Sequence, residues 1–171
     1  MQTPIQGGKS VEQKTILIAS DGSPAARSAV LVAVELAAAL HARPKFLHAS
    51  SPLAEELYAE YPLDGPPLDE LLVRDSVLAD AVDRAREAGV EAEAELIANP
   101  GHSADLAATI AGIALGSAAS LIVVGSRGRS SASGAVLGSV SHNLIKYATI
   151  PILVVHAAVE GEAAVSGEMT P

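Results

Sequence analysis

Five short runs of aliphatic and β-branched residues alternate along this chain with stretches of helical spacing. That alternation limits the possible folds more than any other feature. The first run, KTILIAS at residues 14–20, is apolar almost throughout, the pattern of a strand buried on both faces. It stops at Asp21-Gly22-Ser23-Pro24. Ser23 suits a helix N-cap there, and Pro24 suits the first helical position, whose amide has no partner in any case. A helix is expected to about residue 42, with Val30, Val34, Ala37 and Leu40 on one stripe. PKFLHA, residues 44–49, predicts the second strand. VEAEAELI, residues 90–97, alternates as a half-exposed edge strand does. LIVV at 121–124 and PILVV at 151–155 predict the fourth and fifth strands. Helices are expected over about 68–88, from Ser103 onward, and over about 139–147. Residues 50–67 hold four prolines and a glycine and predict an irregular loop or loose lid. Strand and helix in strict alternation call for an α/β fold: a single domain with a five-stranded parallel open sheet and helices on both faces. A ligand in such a sheet lies beyond the carboxyl ends of the strands, where the winding reverses.

Composition narrows the function. Aromatic residues make up 2% of the chain, so the core must come from Ala, Val, Leu and Ile. The same scarcity removes the stacking platforms that single-stranded nucleic acid needs. A net charge of −9 also repels a phosphate backbone, so nucleic acid is not an expected partner. With no cysteine, disulfides, thiolate catalysis and Cys-based zinc sites are excluded. Residues 106–126 carry no charge, and roughly 20 such residues can cross a bilayer. Gly112, Gly116, Ser117 and Ser120 interrupt them, and no aromatic belt flanks them. They divide instead into an Ala-rich helix capped by Ser103 and the fourth strand. MQTPIQGGKSVEQK lacks the apolar centre of a secretory signal. The expectation is a cytoplasmic protein without a membrane partner, with one domain at 14–156 between flexible tails at 1–13 and 157–171.

One segment stands apart from this acidic background. GSRGRSSASGAVLGSVS, residues 125–141, holds four glycines, six serines and two arginines. The 54 residues between Asp105 and Glu160 contain no Asp or Glu, while Arg127, Arg129 and Lys146 give them a charge of +3. An anion site requires that asymmetry, because a nearby carboxylate would repel the anion. Glycines allow close backbone approach with N–H groups turned inward. Gly138-Ser139-Val140-Ser141 then opens a helix whose first amides are unpaired and whose dipole favours negative charge. Ser139 and Ser141 add hydroxyl donors. The spacing is neither G-x-G-x-x-G nor a Walker loop. It is G-2x-G-9x-G-[ST]: Gly125, Gly128, Gly138 and Ser139.

On these residues the chain resembles the universal stress protein family, over residues 14–156. ILIASDGSPAARSAV looks like the family's opening strand and Asp-Gly-Ser turn. LIVVGSRG and LGSVSHNLIKYATIPILVVH look like its closing half. The glycine spacing resembles that of the ATP-binding branch. The resemblance implies a Rossmann-like fold of the nucleotide alpha-hydrolase-like kind and an adenine nucleotide as ligand, ATP with Mg²⁺. It places Ala19, Asp21 and Ala49 near adenine and ribose, with Gly125 nearby. Gly128, Gly138, Ser139, Val140 and Ser141 would hold the phosphates through backbone and hydroxyl groups. Apart from the resemblance, the charge of the loop makes Arg127 and Arg129 expected phosphate neighbours. It also implies a homodimer through the last strand, residues 151–155. The family often carries an Asp just before the fourth strand, where this chain has Ser120.

The remaining polar residues suggest less. His41, His48, His102, His142 and His156 show no i, i+4 pair, so no metal site is expected. Gly101-His102-Ser103 matches the start of a nucleophile elbow, but Asp105 stands where the final glycine belongs. Asp69, Glu70, Asp75, Asp80 and Asp83 read as a solvated helix face balanced by Arg74, Arg84 and Arg86. No general base, water-positioning residue or lysine clamp for phosphoryl transfer is apparent. The sequence therefore points to a binder or nucleotide-gated switch in stress adaptation, with slow hydrolysis at most. Cyclic AMP or AMP as ligand, a slow ATP hydrolase, and a non-nucleotide interaction module remain open alternatives.

Overall fold

The computed structural model describes residues 13–63, 65–128 and 137–157; the expected tails fall almost wholly outside these residues. The elements run in the order β1 (Thr15–Ala19), α1 (Pro24–Leu40), β2 (Arg43–Ala49), α2 (Ser51–Glu60), α3 (Leu68–Arg74), α4 (Ser76–Glu87), β3 (Glu93–Ile97), α5 (Ser103–Gly116), β4 (Ala119–Gly125), α6 (Ser139–Tyr147) and β5 (Ile152–Val155). Five parallel strands form one sheet in the order β3-β2-β1-β4-β5. The winding reverses between β1 and β4.

Alternation within each apolar run sends side chains to two cores. Ile16, Ile18, Phe46 and Val123 pack on one face with Ala29, Val30 and Ala33 of α1 and Leu78, Ala81 and Val82 of α4. Leu17, Leu47, Ile122 and Val124 pack on the other with Ala107, Ile110 and Ala114 of α5 and Leu144 of α6. Phe46, the sole phenylalanine, is fully buried. Both faces of the central strands are thus covered, as a continuous apolar run requires. β3 is an edge strand, as its alternation implies. The uncharged run at 106–126 divides into α5 and β4, and no helix among the described residues is long and apolar enough to cross a membrane.

Two expectations are corrected here. Residues 50–67 are not a loose lid along their whole length: 51–60 form α2, anchored by buried Ala54 and Leu57. Pro52 lies in that helix's first turn, where no intrahelical amide is needed. The helix expected over 68–88 is two helices, broken at Asp75, whose extended backbone (φ −119°, ψ 99°) ends α3 and starts α4.

Candidate functional site

Beyond the carboxyl ends of β1, β2 and β4 lies a cavity of about 890 Å³, within the size range of small-molecule sites. Leu47, Ala49, Ile97, Leu106, Ile110 and Val124 give it an apolar wall. Of the residues singled out in the sequence for the nucleotide site, those within the described part of the chain line this cavity: Ala19, Asp21, Ala49, Gly125, Arg127, Gly128, Gly138, Ser139, Val140 and Ser141. Arg129 lies outside the described residues.

The start of α6 supplies the positive end. Gly138 occupies its N-cap with φ −70° and ψ 159°, and no side chain caps the helix. The amide of His142 donates to the Gly138 carbonyl at 2.9 Å. The amides of Ser139, Val140 and Ser141 precede it, lack an intrahelical partner by geometry, and carry the positive end of the helix dipole.

The described residues on either side of this helix start, Ser126 and Gly138 among them, are held by bonds within the protein. The Ser126 amide donates to the Val155 carbonyl at 2.7 Å, and the Gly138 amide to the Ser126 carbonyl at 2.6 Å. The Ser141 hydroxyl donates to the Gly125 carbonyl at 2.7 Å. Ser23 caps α1 as expected, accepting from the Ala26 amide at 3.3 Å, while its own hydroxyl donates to the Arg127 carbonyl at 3.1 Å. The Gly138 amide and the Ser141 hydroxyl, which the resemblance gave to phosphate, are therefore used in closing the cradle. Among the described residues of α6, the donors not used this way are the three amides of its first turn and the hydroxyl of exposed Ser139.

The glycines have packing reasons as well. A Cβ at Gly125 would lie 2.7 Å from the Ala25 carbonyl carbon and the Ala26 nitrogen, so α1 crosses the end of β4 in backbone contact. A Cβ at Gly128 would lie 2.8 Å from Asp21 Oδ2. Half-buried Asp21 also accepts from the Ser23 amide at 3.0 Å through Oδ1. The Asp21 turn thus lies directly against Gly128.

Two further features correct the sequence reading. Asp75 is not part of a solvated face, since its side chain is 2% exposed. Its Oδ1 accepts from the Val77 and Leu78 amides at 3.0 and 2.9 Å, and its Oδ2 lies 2.6 Å from Nδ1 of His48, which lines the cavity. Burial opposes ionisation of Asp75, but the His48 hydrogen bond and those two amides outweigh it and hold the carboxyl below the usual carboxylate range. Ser103 is not the N-cap of α5. His102 holds that position without a side-chain bond, and the Ser103 hydroxyl accepts from Asn143 Nδ2 at 3.3 Å, joining α5 to α6 beside the cavity. Ser120 donates to the Thr15 carbonyl at 3.1 Å, tying β4 to β1. Among the described residues no group of three or more His, Cys, Asp or Glu could hold a metal ion.

Fold and cavity together define a doubly wound α/β protein with a ligand-sized site at its switch point. The profile of the universal stress protein family matches residues 12–156, and the chain belongs to that family. Universal stress protein YxiE of Bacillus subtilis is 35% identical over 150 residues, covering 82% of this chain and 97% of that protein. The crystal structure of a universal stress protein in complex with cAMP aligns with a TM-score of 0.59 at 27% identity, covering 85% of this chain and 98% of the other. A member of the family from Burkholderia pseudomallei aligns with a TM-score of 0.55 at 28% identity, covering 85% and 96%.

Proposed function

We propose that the cavity binds an adenine nucleotide, ATP in the first instance, and that the protein acts in the cytoplasm as a nucleotide-gated switch or binder in stress adaptation. One observation carries this reading. The G-2x-G-9x-G-[ST] residues and the uncapped start of α6 meet at one cavity, in a stretch of sequence without acidic residues. The phosphates would take the amides of Ser139, Val140 and Ser141, the Ser139 hydroxyl and the charge of Arg127. The nucleoside would then extend over β1 towards β2, past Ala19, Asp21 and Ala49. At a strand spacing of about 4.8 Å, β4 and β2 stand roughly 10 Å apart, a span that suits a nucleotide from phosphate to base.

Mg²⁺ would be held mainly by phosphate oxygens and water, with Asp21 the carboxylate on the cavity wall. Among the described residues no lysine lines the cavity to clamp a transferring phosphoryl group, which supports slow hydrolysis at most. Cyclic AMP or AMP is the second reading, favoured by the relative of 27% identity whose structure is a complex with cAMP. The outer edge of β5 supports a homodimer, because β5 ends the sheet and pairs only with β4 among the described strands. Mass spectrometry of the small molecule released when freshly purified protein is heat-denatured tests the ligand class. An adenine nucleotide is expected; release of an unrelated compound in stoichiometric amount would overturn the reading.

A further inference from the structure

His48 is the one histidine whose ring is fixed by a buried carboxylate and which also borders the cavity, among the described residues. Phe46 and Leu47 belong to opposite cores, so alternation along β2 turns the His48 side chain to the α1/α4 face, where Asp75 meets it. Ser20, whose amide donates to the Leu47 carbonyl, and Asp21 line the same cavity as His48, while Leu47 and Ala49 belong with the opposite core. An ionised carboxylate only accepts, so Nδ1–H donates to Asp75; in the neutral form of the ring that tautomer leaves Nε2 as an acceptor. No hydrogen bond of Nε2 to a described residue is found. Nor is it a buried orphan, because Arg43 Nε is the only buried side-chain nitrogen or oxygen among them without a partner. A solvent-accessible acceptor on a ring held at a fixed angle suits a hydroxyl donor, whereas the apolar wall suits a flat base.

We propose that His48, oriented by Asp75, accepts a hydrogen bond from a ribose hydroxyl of the bound nucleotide through Nε2 and so sets a preference for ribonucleotides. This rests on the nucleotide reading above and adds to it a residue that the glycine motif does not contain. The two ring nitrogens have separable jobs. Asn at this position keeps a donor where Nδ1 stands and removes Nε2. Gln keeps a polar atom where Nε2 stands and loses the bond to Asp75. A purely structural histidine ties every effect to Nδ1, whereas a ligand-binding one ties discrimination to Nε2.

The test is calorimetric titration of the full chain with ATP, 2′-deoxy-ATP and 3′-deoxy-ATP, for wild type, His48→Asn and His48→Gln, with a thermal melt of each. In the wild type one deoxy analogue should bind more weakly by roughly three- to tenfold, the worth of one hydrogen bond, and which one identifies the hydroxyl. His48→Asn should melt near the wild type and lose that difference. His48→Gln should melt lower and keep most of it. Equal binding of all three nucleotides by the wild type overturns the proposal, as does a difference that persists in His48→Asn. A wild type that binds ATP but fails either criterion leaves the nucleotide reading standing. A wild type that binds no nucleotide overturns both.

Discussion

Replacing Gly138 with Asp should raise the stability of the protein while abolishing its ligand binding, and the opposite signs make the substitution informative. Gly138 already has the extended backbone of an N-cap, and α6 has no side-chain cap. A Cβ there meets Arg127 Cα, the Gly128 nitrogen and the Ser126 oxygen at 3.4 Å, ordinary contact distances. An Asp at this position can accept from the amides two and three residues on, those of Val140 and Ser141. Asp exceeds Gly as an N-cap by a few tenths of a kcal/mol, and its charge on the helix dipole adds about 0.3–1 kcal/mol. Together these should raise Tm by about 1–4 °C for a chain of this size. The same carboxylate occupies the donors assigned to phosphate and places a negative charge among them. Loss of two charge-assisted hydrogen bonds costs about 3 kcal/mol or more, roughly a hundredfold or more in Kd. Gly138→Ala separates bulk from charge: it should lower stability slightly and change affinity by less than about threefold. Thermal melts without nucleotide and calorimetric titrations of both variants read the two effects. An Asp variant that binds like the wild type refutes the cradle, as does one that loses binding only by melting well below the wild type.

Substitutions at three other positions test the supporting structure and the edge of the sheet. Gly125→Ala forces a Cβ into the backbone of Ala25 and Ala26 and should cost about 1–3 kcal/mol; a chemical-denaturation midpoint equal to the wild type's would contradict the close approach of α1. Asp75→Ala leaves two helix amides and His48 Nδ1 without their acceptor and should cost about 2–4 kcal/mol in the same assay. Asp75 ionises more readily folded than unfolded, so its stabilisation is complete above about pH 4 and is lost as pH falls through its lower folded value; Asp75→Asn should flatten the acid limb of the stability profile, and an unchanged limb would place the acid sensitivity elsewhere. The carbonyls of Pro151 and Val155 face β4, so alternation turns the Val154 amide to the open edge of β5. Proline is tolerated on an edge, and Val154→Pro should shift a dimer to monomer in sedimentation velocity with little change in Tm; an unaffected dimer would put the interface elsewhere.

The sheet was legible because its runs are apolar enough for strands covered on both faces, and Ser23-Pro24 marked the start of α1 unambiguously. α2 was hidden by reading the prolines of 50–67 as one signal. Pro52 belongs to the first turn of a helix, whereas Pro62, Pro66 and Pro67 lie outside it. The break at Asp75 had a local mark, an Asp-Ser pair before the apolar positions of α4, but the even spread of charges over 68–88 masked it. The pairing of His48 with Asp75 had no such mark, since it depends on where β2 and α4 meet across 27 residues. The site shows the same division. Gly125, Gly128 and Gly138 could be found by spacing alone. That α1 lies against the first, Asp21 against the second and the Ser126 carbonyl on the amide of the third follows only from the folded chain. Local chemistry was readable where one segment carries it; contacts between segments were not.

Calorimetric titration of nucleotide-stripped wild-type protein with ATP, AMP and cyclic AMP tests the central claim most directly. The account predicts saturable binding of at least one of them, at about one per chain and in the micromolar range. Absence of binding by all three at millimolar concentration, with the protein folded, would contradict it.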